Sequence, residues 1–135
     1  MLVVDTNIIA PLYIRSAYTD GVHQLRRRDG LWRTDPFAII EFSNVLATYR
    51  RARYLTTTEA QRSLAQADRF LRPHYVEVPH DAALELAIRH GVSAYDARFL
   101  ALAQRVGLRL ITEDSKLRAA APALTQSLAE ALAAV

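Results

Sequence analysis

The chain has 135 residues, 51% of them hydrophobic and 23% charged, and it contains no cysteine. That length suits a single domain, residues 1–135, that buries a full core without metal staples. The composition excludes disulfides, Cys-bound zinc, iron–sulfur clusters and thiol catalysis, and it argues against disorder. The net charge is +3, and every cation except Lys116 is an arginine, the side chain that pairs bidentately with phosphate and stacks on bases. No apolar run reaches the ~20 residues of a membrane span. The opening Met1-Leu2-Val3-Val4-Asp5 lacks a basic leader segment, so a cytoplasmic location is expected.

In chain order, Leu2–Val4 is a short apolar run that predicts a buried strand ending at Asp5. Helices are expected over Asn7–Tyr13 and Thr19–Arg28, then a strand over Leu31–Thr34. Asp35-Pro36 is a helix start, with a capping residue ahead of a proline at the first helical position; this helix is expected to reach about Arg53. Thr58–Leu71 predicts a helix with Ala60, Leu64, Ala67 and Leu71 on one face. Pro73 breaks the chain, and Tyr75-Val76-Glu77-Val78 alternates as a strand, expected over His74–Val78. Helices Asp81–His90 and Ser93–Val106 are each stopped by a glycine, Gly91 and Gly107. Leu108–Thr112 predicts the next strand, followed by a short helix from about Ser115. From Ala123 the tail suits a short strand or a terminal helix. Strands spaced by helices imply crossover connections and a largely parallel sheet. In such sheets the site lies beyond the carboxyl ends of the strands.

Four acids fall at that edge. Asp5 follows the first strand, Glu41 lies early in the helix after the second, Asp96 opens the helix before the last clear strand, and Asp114 follows that strand. Asp5, Asp96 and Asp114 each also suit a helix cap, Asp96 within Ser93-Ala94-Tyr95-Asp96. Glu41 sits among apolar neighbours in Phe37-Ala38-Ile39-Ile40-Glu41-Phe42, where an acid is rare unless paired or ligating. Two carboxylates about 4 Å apart repel by roughly 4 kcal/mol at an effective dielectric near 20. Four in one cleft therefore require raised pKa values or a bound cation. Carboxylates without His or Cys favour Mg²⁺ or Mn²⁺, which suit phosphodiester hydrolysis. Setting these four acids aside leaves 17 cations against 10 anions, a shell that attracts a polyanion. Thr6, Asn7 and Thr112 adjoin the acids and suit orienting hydrogen bonds, or plain turn chemistry.

These motifs resemble the PIN-domain ribonucleases and, within them, the VapC-like toxins of toxin–antitoxin pairs. Val3-Val4-Asp5-Thr6-Asn7 is similar to the family's opening strand and Asp-Thr-Asn motif. Glu41 with Val45-Leu46 resembles its helical Glu motif. Ser93-Ala94-Tyr95-Asp96-Ala97 with Leu100-Ala101-Leu102-Ala103 resembles its third-acid helix, and Leu110-Ile111-Thr112-Glu113-Asp114 its Thr-x-Asp ending. The resemblance implies an α/β, PIN-like fold with a central, mostly parallel sheet of four or five short strands flanked by helices. It implies a Mg²⁺- or Mn²⁺-dependent endoribonuclease with Asp5, Glu41, Asp96 and Asp114 as catalytic and metal-binding acids. Thr6, Asn7 and Thr112 would be accessory. Glu113 adjoins Asp114 and is an alternative fourth acid. The partners it implies are RNA, a cognate antitoxin and a second copy in a homodimer. A non-catalytic PIN-like binding domain and an RNA-processing nuclease without antitoxin are the alternatives. A receiver domain or haloacid-dehalogenase-like phosphatase is disfavoured because Asp5-Thr6-Asn7 lacks the second acid either needs.

Arg26-Arg27-Arg28, Arg50, Arg51 and Arg53 with Tyr49 and Tyr54, and Arg98, Lys116 and Arg118 form basic segments that suit solvated faces or helix ends. The four histidines show no ligand spacing.

Overall fold

The computed structural model describes residues 1–134. Strand β1, Leu2–Val4, is central because Val3 and Val4 are fully buried. A strand covered on both faces reads as a continuous apolar run, not an alternating one. It pairs in parallel with β2, Trp32–Arg33, through Leu2–Trp32 and Val3–Arg33. On its other side it pairs with β3, Leu110–Ile111, through Val3–Leu110 and Val4–Ile111. Strand β4, Thr125–Gln126, extends β3 in parallel, giving the order β2-β1-β3-β4.

Helices cover both faces. They are α1 (Thr6–Ile9), α2 (Thr19–Arg28), α3 (Phe37–Arg51), α4 (Thr57–Leu71), α5 (His80–His90), α6 (Ala94–Val106), α7 (Ser115–Ala120) and α8 (Leu128–Ala133). The main core joins β1 and β3 to Trp32, Phe99, Leu100 and Leu102. A smaller cluster of Ile14, Phe42, Leu46 and Ala67 packs α3 on α4. Gly91 and Gly107 end α5 and α6 in the left-handed conformation, φ 66° and 73°, where a Cβ is strained.

Two expectations are corrected, and the open reading of the tail is resolved. The segment His74–Val78 is not a strand: a 3₁₀ turn covers Arg72–His74, and one parallel bridge, Thr34–Tyr75, is all that forms. Val76 N–H donates to Thr34 O at 3.0 Å, and pairing stops there. Pro73 and Pro79 bracket the segment and α5 begins at His80, so too few extended residues remain for a ladder. The fourth strand comes instead from the tail, which forms both of the elements it suited, β4 and α8. The helix expected over Asn7–Tyr13 divides into α1 and a 3₁₀ turn at Ala10–Leu12, since Pro11 has no N–H to continue the α ladder.

At the end of β2, Asp35 caps α3 through Phe37 N–H (2.8 Å) and pairs with Arg98 Nε at 3.1 Å. This pair is largely out of solvent, with side-chain exposures of 2% for Asp35 and 17% for Arg98. Arg98 also donates to Val78 O at 3.3 Å, which ties α6 to the loop before α5. Removing one partner of such a pair strands a buried charge. Arg98→Ala is therefore expected to destabilise the fold by about 3–5 kcal/mol in urea unfolding. The double variant Asp35→Asn/Arg98→Leu should recover a large part of that loss. A single-variant loss under about 1 kcal/mol would show that the pair is solvated.

Candidate active site

The strand order reverses direction at β1, with β2 reached on one side and β3 on the other. Such a switch point opens a crevice at the carboxyl ends of the strands. Asp5 leaves β1 there and Thr112 leaves β3. Asp5 N–H donates to Ile111 O at 3.0 Å, continuing the β1–β3 ladder into the site. Thr112 Oγ1 donates to Asp5 Oδ2 at 2.8 Å. Thr6 N–H donates to Asp5 Oδ1 at 2.7 Å, which caps α1.

Asn7 links the two strand ends a second time. Its Nδ2 donates to Thr112 Oγ1 at 3.1 Å, and its Oδ1 accepts from Glu113 N–H at 3.0 Å. Thr6 Oγ1 donates to Glu41 Oε1 at 2.7 Å and brings α3 to the same point. Asp96 sits in the first turn of α6, where Ser93 Oγ accepts its N–H at 3.0 Å. Asp114 caps α7, its Oδ1 accepting from the N–H groups of Lys116 and Leu117, both at 3.0 Å.

Asp5, Glu41, Asp96 and Asp114 all line one cleft of about 360 Å³, together with Thr6 and Asn7. Four elements separated in sequence therefore bring four carboxylates to one place. Thr112 is fully buried beneath them. Glu113 is turned elsewhere: its Oε2 accepts from Leu128 N–H at 2.8 Å and lies 3.7 Å from Arg118 Nη1. It holds β3 to the start of α8 and does not line the cleft.

Sequence reasoning did not anticipate the cleft's apolar wall. Pro11 and Ile14 come from the segment after α1, and Val45 and Tyr49 from α3. The available signal was helical spacing, since Glu41, Val45 and Tyr49 repeat every four residues on one stripe of α3. Asp35 and Arg98 stand apart from this cleft and line a neighbouring surface cavity instead.

The electrostatics follow from burial and proximity. Asp5 is 5% exposed. Burial is the main cause that pushes its carboxyl up to about 7; the charges of Glu41 and Asp96 add to the rise, and the Thr112 and Thr6 hydrogen bonds oppose it. Glu41 is raised by burial and then by Asp96, against the Thr6 hydrogen bond. Asp96 is raised by burial and then by Asp114, against Ser93. The acids thus interact as one group, and an added positive charge would relieve all of them. Among the described residues, no group of three or more His, Asp or Glu side chains is set to hold a metal ion as it stands. An open set of this kind suits Mg²⁺, which keeps several waters and takes one or two carboxylates plus substrate phosphate.

A parallel α/β sheet with acids gathered at its switch point is the arrangement the sequence motifs implied, and residues 2–122 match the PIN domain family. The chain belongs to that family. It is also 35% identical over 127 residues to Ribonuclease VapC3 of Pyrobaculum aerophilum, an alignment covering 91% of this chain and 96% of that protein. Its fold is similar to the crystal structure of PAE2754 from Pyrobaculum aerophilum, with a TM-score of 0.74, 23% identity and coverage of 98% and 96% of the two chains. It is also similar to FitAcB from Neisseria gonorrhoeae, with a TM-score of 0.64, 17% identity and coverage of 94% and 96%.

The raised Asp5 pKa predicts an unusual pH response in EDTA. A carboxyl whose folded pKa exceeds its unfolded value of 3.8 takes up protons on folding between the two values, so stability falls as pH rises through that window. Asp29 and Asp68 are shifted down, Asp29 by its bond to the terminal amine and Asp68 by its bond to Arg72. Their stabilisation is lost only at more acid pH. Unfolding free energy should therefore decline by about 2–4 kcal/mol between roughly pH 4.5 and pH 8. Asp5→Asn should flatten that slope; an unchanged slope would mean that Asp5 is ionised throughout.

Proposed function

We propose that this protein is a divalent-metal-dependent endoribonuclease and the toxin of a toxin–antitoxin pair. The observation that carries the proposal is the convergence of Asp5, Glu41, Asp96 and Asp114 on one cleft at the carboxyl ends of the sheet. Membership of the PIN domain family and the likeness to Ribonuclease VapC3 support it. Residues 1–135 act as one domain in this reading.

The donor set fits a hard cation. It consists of carboxylate oxygens without histidine or cysteine, and the pKa values of Asp5, Glu41 and Asp96 are already raised, first by burial and then by neighbouring charge. Asp5 and Asp96, with Glu41 and Asp114, would hold Mg²⁺ or Mn²⁺. Such an ion supplies a nucleophilic water at neutral pH and offsets charge on the phosphate. The protein's own part is orientation. Thr112 and Thr6 fix Asp5 by hydrogen bonds to opposite oxygens. Thr6 also fixes Glu41, so one residue sets the spacing between β1 and α3. Asn7 holds Thr112 in turn.

The substrate is RNA, drawn by the excess of cations outside the cleft. An antitoxin that blocks the cleft and a homodimeric state belong to the same reading, as does a cytoplasmic setting. Among the described residues no helix is long and apolar enough to cross a membrane.

Purified protein is expected to cut RNA with Mg²⁺ or Mn²⁺ and to stop in EDTA. Asp5→Asn and Asp96→Asn should each lower the rate by at least about 100-fold. Gel-resolved cleavage of structured and single-stranded RNAs reads this, and cutting that persists in EDTA or in Asp96→Asn would refute the mechanism.

Millimolar Mg²⁺ should also raise the melting temperature at neutral pH, because binding to the folded state alone stabilises it. That rise should vanish in Asp5→Asn/Asp96→Asn. An equal rise in the double variant would place the bound ion elsewhere.

A further inference from the structure

Beyond the acids, the stripe Glu41, Val45, Tyr49 runs about 12 Å along α3, at 1.5 Å per residue. All three side chains line the cleft. Tyr49 meets Tyr54 edge-on, with ring centroids 5.9 Å apart at 61°. Tyr54 is 77% exposed and Tyr49 37%. An aromatic pair therefore leads from the acidic cleft out to solvent at the tip of the α3–α4 hairpin.

The same tip is basic. Arg50 Nε donates to Thr57 Oγ1 at 3.0 Å and Arg51 Nη2 to Thr48 Oγ1 at 3.3 Å, both neutral partners. Among the described residues, no carboxylate pairs with Arg50, Arg51 or Arg53. Arg53 has φ 63° and is the one described non-glycine residue with positive φ. Tyr54 N–H donates to Tyr49 O at 3.0 Å across it. That 6→1 bond closes a helix end whose left-handed position is usually glycine. The chain keeps an arginine there against backbone strain, a pattern that clusters at ligand-binding sites.

We infer that Tyr49, Tyr54 and Arg53 form a ledge that binds the single-stranded RNA segment flanking the bond to be cut. Tyr54 stacks on a base, and Arg53 contacts a neighbouring phosphate. The inference rests on the nuclease reading of the adjoining cleft. Aromatic faces accept any base and unpaired guanidinium groups accept phosphate. An extended polypeptide would use the cations but has less call on an exposed tyrosine face. The ledge favours unpaired RNA, because a base inside a duplex has no free face to offer.

The test measures binding separately from cutting. Fluorescein-labelled 12-nucleotide single-stranded RNA of random sequence is titrated in EDTA, beside a duplex of equal length. Tyr54→Ala is expected to weaken single-strand binding about tenfold with little effect on the duplex. Tyr54→Trp should restore it, which a purely structural role for the hydroxyl or ring packing would not. Arg53→Gly should raise the melting temperature by relieving strain and yet weaken binding. It should also lower the slope of log affinity against log salt by about 0.7, one released phosphate contact on a single strand. Under Mg²⁺ or Mn²⁺, Tyr54→Ala should raise KM and leave kcat within about twofold.

Wild-type affinity retained in Tyr54→Ala overturns the inference and leaves the ledge to a polypeptide. So does tryptophan failing to restore binding, or wild type failing to bind the single strand. Tyr54-dependent binding by a protein that cuts no RNA would sink the nuclease reading and leave the ledge standing. Cutting that is indifferent to Tyr54 would do the reverse.

Discussion

The hydrogen bond from Thr112 Oγ1 to Asp5 Oδ2, 2.8 Å long and buried, joins the two strand ends on which the cleft is built. A carboxylate at 5% exposure is costly unless it is paired or hydrogen-bonded. Thr6 N–H satisfies one oxygen locally, and the β1–β3 register Val4–Ile111 sets Thr112 beside the other. A slip of one residue would turn every side chain of β1 to the opposite face and take Asp5 out of the cleft. Two successive buried apolar pairings, Val3–Leu110 and Val4–Ile111, make that slip expensive. The core thus fixes the site's geometry, while the site's charge works against the core. The burial that raises the pKa of Asp5 sets the cost of its charge against the gain from the surrounding core.

Helix capping and metal binding are compatible roles for the same acids. Each carboxylate has two oxygens and can divide them. Asp114 spends Oδ1 on two N–H groups of α7 and still lines the cleft. Asp5 caps α1 with Oδ1 and meets Thr112 with Oδ2. Asp96 is not the cap of α6; Ser93 is, so the Asp96 carboxyl gives no oxygen to the N–H groups of its own helix. Capping fixes where an acid stands before any ion arrives, which is the preorganisation an open Mg²⁺ set needs when the protein supplies only part of the coordination shell.

This division explains what the sequence made legible. Asp5 follows β1 directly and Asp114 lies three residues past the end of β3, so their position at the sheet edge could be read from the strand ends alone. The ends of α5 and α6 were also readable, because Gly91 and Gly107 act locally, whereas the helix expected over Asn7–Tyr13 runs straight through the break at Pro11. The failure at His74–Val78 came from the opposite situation. Its alternating pattern is strand-like, but a ladder needs consecutive partners, and Pro73, Pro79 and the early start of α5 leave one bridge. Nor could sequence separate Glu113 from Asp114. The N–H of Leu128, fifteen residues on, decides where Glu113 points. The Asp35–Arg98 pair was hidden for the same reason, since Asp35 alone looks like a cap and its cation lies 63 residues away.

Glu41 depends on tertiary packing more than the other three acids. It rides on α3, whose start meets the main core through Ala38 and whose remaining inner face is seated by the small cluster of Phe42, Leu46, Ala67 and Ile14. Its one anchor at the sheet edge is the Thr6 hydroxyl. Phe42 and Glu41 are neighbours in sequence, so any change that lets Phe42 sink or lift rotates Glu41 about the helix axis. Helix α3 also carries Val45 and Tyr49 along the cleft. The distance between the acids and the aromatic tip is therefore set by one rigid helix, while the distance between Glu41 and Asp5 is set by how that helix seats. The first of these lengths is fixed by backbone hydrogen bonds and the second by side-chain packing, so core changes under α3 act on the acid spacing and leave the reach to the tip unaltered.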